Sequence, residues 1–143
     1  MTVLEYPVAI VAAILWIGFV GAISFMESWL KFKAPGISVK LGLGIGRLVF
    51  SALNKIELIL AIAIMTNLVV EGDIFIFRNL LFFVPLLLLV VQTLWLLPAL
   101  DIRAKILIGG EELSPTYLHF YYVGMEIMKV GCLLSFSVNL LYL

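Results

Sequence analysis

Residues 50–62, FSALNKIELILAI, place Asn54, Lys55 and Glu57 inside an apolar run, and residues 118–130, LHFYYVGMEIMKV, do the same with His119, Tyr122, Glu126 and Lys129. Carboxylates, ammonium groups and an imidazole in such surroundings can carry protons, hold ions or small polar solutes, or pair with one another. A lone charge at the centre of a bilayer costs about 2.5–3.5 kcal/mol on insertion scales, so each must face protein, water or an opposite charge. Glu27, Glu57 and Glu126 can be set against Arg47, Lys55 and Lys129.

Helical spacing decides which of these can meet. His119, Tyr122, Glu126 and Lys129 are spaced 3, 4 and 3, which at about 100° per residue keeps them on one stripe that must face inward. Arg47, Ser51 and Lys55 recur every four residues, whereas Asn54 and Glu57 form a second pair on the same helix. Lys55 and Glu57 therefore point at different neighbours, one at the fourth apolar run and the other at the first run or at another subunit. The expected site is a polar seam of Glu57, Glu126, Lys55, Lys129, Asn54, Tyr122, Arg47 and Glu27, with His119 at its mouth. The run LLFFVPLLLLVV, broken beyond its end only by Gln92 and Thr93, is expected to be a lipid-facing wall.

Two accounts of the seam compete: it moves a proton, ion or small solute, or its pairs only fix helix register and subunit assembly. A relay from His119 through Tyr122 to Glu126 suits the first, although a histidine one turn from the membrane surface also serves as an interfacial residue. No metal or other cofactor is expected, because one histidine and scattered carboxylates fall short of the ligand sets of carboxylate-bridged metal or bis-histidine haem sites. Met125, Met128 and Cys132 share a helix side and could suit Cu(I), but such residues are also ordinary apolar packing. Hydrolase, zinc-protease, dithiol and P-loop signatures are absent, which leaves a small lipid-modifying enzyme as a third reading.

The elements that must position these residues follow from composition. The 143-residue chain is 64% hydrophobic and 13% charged, against about 25% charged in soluble domains. Nine basic and nine acidic residues cancel, giving no electrostatic case for nucleic acid, and the single Cys132 excludes an internal disulfide. Crossing ~30 Å of hydrocarbon at ~1.5 Å per residue takes about 20 apolar residues. Four runs qualify, at about 6–30, 43–70, 74–97 and 117–140, and the first, opening after Met1 without a basic signal region, is expected to be retained. One transmembrane domain over 1–143 is expected, an all-α four-helix bundle, since a bilayer admits only helices or closed barrels and these runs do not alternate.

Lys31, Lys33, Lys40, Arg47, Arg103 and Lys105 flank the first and third connections, while Glu71 and Asp73 occupy the second. Both termini are therefore expected on the non-cytoplasmic side. Ser114 and Pro115 are expected to cap and start the fourth helix. Gly18 with Ala22, and Gly42 with Gly46, offer close helix approach and, with so little volume inside four helices, point to a homo-oligomer. A faint repeat sets Glu27, Lys31, Lys33 and Glu57 beside Asp101, Arg103, Lys105 and Glu126.

The stretch GFVGAISFMESWLKFKAPGISVKLGLGIGRLVFSALNKIEL, with LHFYYVGMEIMKV later, resembles a group of small bacterial four-helix integral membrane proteins of unknown function. The resemblance implies a multi-pass protein of the bacterial inner membrane and assigns no catalytic residue.

Overall fold

In a computed structural model, residues 3–142 are described; Met1, Thr2 and Leu143 lie outside the described residues. Four helices are long and apolar enough to cross a membrane: α1 (Pro7–Lys33), α2 (Val39–Glu71), α3 (Phe77–Ile108) and α4 (Leu118–Leu141). No strand occurs among the described residues. Successive helices run antiparallel, and α1 and α3 each pack against α2 and α4, so the order around the bundle follows the chain.

Local chemistry sets the helix ends. Ser38 caps α2 by accepting from the Leu41 N–H at 3.1 Å. At its other end Gly72 takes φ 77°, a left-handed value that glycine adopts freely. The Gly72 and Asp73 N–H groups then reach back to Val69 O and Leu68 O at 3.0 and 3.1 Å, which turns the chain sharply into α3. Pro7 opens α1 where no N–H is needed, and Asn67 of α2 accepts from the free Ala9 N–H at 2.9 Å. That bond caps one helix with a side chain of its neighbour.

Two expectations about elements need correcting. The third helix runs on to Ile108 through Pro98, Asp101, Arg103 and Lys105, residues read from sequence as a loop. A widened π-helical segment, Gln92–Leu96, lies just before Pro98, and it accommodates a residue that cannot donate to the preceding turn. Ser114 and Pro115 do not start α4, which begins at Leu118; the Ser114 carbonyl instead accepts from Arg103 at 2.7 Å.

The half of the bundle nearer the termini is filled by apolar side chains. Ala9, Ala13, Trp16, Ile64, Leu68 and Phe136 are all fully buried there. Small residues on α1 let it lie close to its neighbours, and Phe82 and Phe136 close the far side with ring centres 5.7 Å apart. Over this core sits a polar latch: Tyr6 donates to Asp73 and accepts from Arg78, and Arg78 also reaches Glu5 at 3.3 Å. Burial, reinforced by the Asp73 carboxylate, holds the Tyr6 phenol above its ordinary pKa and keeps it a donor.

At the opposite end, Gly42 and Gly46 serve packing within the chain. A Cβ on Gly42 would stand 2.1 Å from the Phe32 ring, and one on Gly46 3.2 Å from the Lys31 ammonium. Gly18 has open space around it.

Candidate functional site

Between these two ends the polar groups of all four helices meet. Lys129 of α4 donates to both carboxylate oxygens of Glu57 on α2, at 2.9 and 2.8 Å, and to Gln92 Oε1 on α3 at 2.6 Å. Its ammonium also lies 2.6 Å from Glu126 Oε1, one turn back along α4. Gln92 Nε2 donates to that same Glu126 oxygen at 2.8 Å, so one amide bridges cation and anion. The other Glu126 oxygen lies 2.7 Å from the Ser24 hydroxyl of α1, which in turn stands 3.2 Å from the Tyr122 hydroxyl. Glu126 and Lys129 are 0% exposed, Gln92 1% and Glu57 2%.

The electrostatics follow from a count. With every group ionised the cluster holds two carboxylates and one ammonium, a formal charge of −1 sealed from solvent. Such a charge in hydrocarbon is costly unless a proton or a second cation meets it. Lys129 already fills the cation position between the carboxylates. Glu126 Oε2 faces hydroxyls instead, that of Ser24 at 2.7 Å with that of Tyr122 beyond it.

Local geometry explains who takes part. Ser24 lies in a π-helical segment of α1, Gly21–Glu27, and Gln92 opens the one in α3. A π turn shifts side chains off the usual helical register, and such turns recur at functional sites. Ser24 and Gln92, both neutral partners of Glu126, are thus delivered by widened turns. Trp16 of α1 is buried beside Glu57, and its indole N–H has no hydrogen-bond partner among the described residues.

Of the residues expected in one seam, the structure gathers Glu57, Glu126, Lys129 and Tyr122 and places the others elsewhere. Lys55 is exposed on the outer face of α2, because two residues of helix turn it about 200° from Glu57. Asn54 accepts from Thr93 at 3.0 Å, outside the cluster. Arg47 pairs with Asp101 at 2.6 Å near the loop end, and Glu27 with Lys31 at 3.3 Å along its own helix. His119 is exposed, its ring 6.3 Å from that of Phe120, so it lines no mouth of the cluster. The third helix, expected as a plain wall, supplies the bridging amide.

Fold and site together define a class, an all-helical chain of four membrane-length helices around a buried ion cluster. No protein-family model, curated protein or solved structure matches the chain.

Proposed function

We propose that this chain is a multi-pass protein of the bacterial inner membrane that moves protons through the Glu57–Lys129–Glu126 cluster. The observation behind this reading is the unbalanced charge of that cluster, joined on one side to a hydroxyl chain. From Glu126 Oε2 the chain runs through Ser24 to Tyr122, towards the end of the bundle that carries the loops. Tyr122 packs edge-on against Phe50 at 5.3 Å, and the Lys31 ammonium lies 5.7 Å from the Phe50 ring, beside Glu27. Glu27 and Lys31, not His119, would then form the proton mouth. The basic residues around the first and third connections support placing that mouth in the cytoplasm.

Chemically, a proton reaching Glu126 is passed by hydroxyl reorientation and neutralises the cluster; its release restores the negative charge. Lys129, held between the two carboxylates, stays in place while that proton comes and goes. Release towards the termini requires the Trp16 side to open, since the core beyond it is apolar.

Proteoliposomes containing the purified chain and a pH-sensitive dye test the reading. A proton gradient is expected to collapse faster with the wild type than with Glu126→Gln, at equal incorporation and helicity. No proton flux in the wild type, or equal flux in the variant, would overturn it.

The solid apolar core beyond Trp16 favours a second reading, in which the cluster is a static lock for helix register within a larger assembly, formed with copies of itself or with other proteins. On that reading, exchanging Glu57 and Lys129 preserves folding and the wild type carries no protons. The lipid-modifying reading draws no support from His119, which has no ion-pair partner among the described residues.

A further inference from the structure

Away from the cluster, the start of α3 and the end of α4 leave a groove of about 560 Å³ between them, lined by Phe77, Arg78, Leu80, Leu81, Val84 and Asn139. That volume falls within the ~300–1,000 Å³ of ordinary ligand clefts. Phe77, Leu80, Leu81 and Val84 come from the 3-10 turns that open α3, Phe77–Phe82, and the α-helical turn that follows. Val84 lies about 13 Å further along the helix axis than Phe77 at the 3-10 and α rises. Arg78 and Asn139 stand at the end of the groove near the termini, beside the latch. The groove is therefore polar at one end and greasy at the other.

The state of Arg78 points to what fills the polar end. Its Nη2 bonds Tyr6 and Glu5, its Nε is buried with no partner among the described residues, and neither of those bonds uses Nη1. With Nε walled off and Nη2 engaged, Nη1 is the part of the guanidinium left to donate to a phosphate. The surroundings are not simply basic, however. Glu5 and Asp73 both contact the latch and Glu71 lies close by in the chain, so carboxylates outnumber the one guanidinium. A headgroup with only negative charge meets net repulsion there. One that pairs a phosphate with a primary ammonium satisfies both signs, the phosphate on Arg78 and the ammonium on Glu5, which is half exposed at 51%. A quaternary ammonium has no N–H to donate to Glu5 or to Asn139 Oδ1.

We propose that this groove is a binding site for one two-tailed phospholipid with a phosphoethanolamine headgroup, an acyl chain lying along Leu81 and Val84. The site is independent of the ion cluster and of any proton movement.

The test is native mass spectrometry of the purified full chain in detergent mixed with equal mole fractions of phosphatidylethanolamine, phosphatidylcholine and phosphatidylglycerol. One retained phosphatidylethanolamine is expected, favoured over either competitor by about fivefold, the weight of one membrane-surface charge contact. Glu5→Gln is expected to erase the preference over phosphatidylcholine, whereas Arg78→Gln is expected to weaken retention of all three lipids. Because Arg78 also belongs to the latch, Val84→Trp provides a second variant: it fills the apolar end, leaves the latch intact, and is expected to abolish retention while thermal unfolding stays as in the wild type. Equal retention of the three lipids, preference for phosphatidylglycerol, or unchanged retention in Val84→Trp would each overturn the assignment.

Discussion

Lys129 Nζ stands 2.9 and 2.8 Å from the two carboxylate oxygens of Glu57, a residue 72 positions away on a different helix. Neither side chain reaches solvent. The contact fixes the register of α2 against α4, because sliding either helix by one turn would strand both charges among apolar side chains.

Removing one partner of this pair should therefore cost far more than removing both. Lys129→Met is expected to destabilise the fold by about 3–5 kcal/mol, the usual cost of leaving a buried charge uncompensated. Lys129→Met combined with Glu57→Gln should recover part of that loss, since no charge on α2 is then left without its counter-ion. Thermal unfolding in detergent by circular dichroism reads the difference. Equal stability of single and double variants would show that the pair does not hold the bundle together.

Lys55 provides the contrast. It is exposed on the outer face of α2 at the middle of that helix, 16 residues from either end. Lys55→Leu is expected to leave helicity and proton flux unchanged and to favour the membrane-inserted state by about 2.5–3.5 kcal/mol, the cost of a lone charge at mid-bilayer. A collapse in expression or flux would show that Lys55 has an essential partner outside this chain.

These two lysines also mark what could be read from sequence. The four spans followed from apolar runs alone, and the stripe through Tyr122, Glu126 and Lys129 followed from helical spacing with the cost of burying charge. Spacing also separates Lys55 from Glu57, yet it does not say which of the two faces the interior; that depends on where α1 and α4 lie. Ser24 and Gln92 escaped because they carry no charge and sit in π-helical segments, where the 100° rule that ties residue number to helix face no longer holds. Helical spacing as well as charge draws Arg47 and His119 into the expected seam, and charge alone draws Glu27. Near the ends of the bundle, neighbours on the same helix, a loop-end partner or open solvent meet such groups without a buried site.

The latch at the termini should respond to alkali. The Tyr6 phenol is raised above its unfolded value of ~10, so its contribution is fully present below about pH 10 and falls as pH rises from there through the folded pKa. Wild-type thermal stability is expected to drop above pH 10 more steeply than that of Tyr6→Phe, which has no proton to lose at this position. Parallel pH profiles would remove Tyr6 from the account of stability at that end.

Gln92 tests whether the neutral amide matters as much as the charges. It accepts from Lys129 and donates to Glu126 inside a fully buried cluster, so Gln92→Leu removes one hydrogen bond from each charged group, each worth about 1.5–3 kcal/mol. Gln92→Glu keeps the shape but replaces the donor with another carboxylate beside Glu126, which raises the formal charge of the cluster from −1 to −2. The leucine variant is expected to unfold at a clearly lower temperature at any pH, whereas the glutamate variant should be less stable at neutral pH and regain stability in mild acid as it takes up a proton. Thermal melts at pH 5 and pH 8 separate the two. A glutamate variant as stable as the wild type at pH 8 would mean that the cluster tolerates additional negative charge and that charge balance does not govern its proton occupancy.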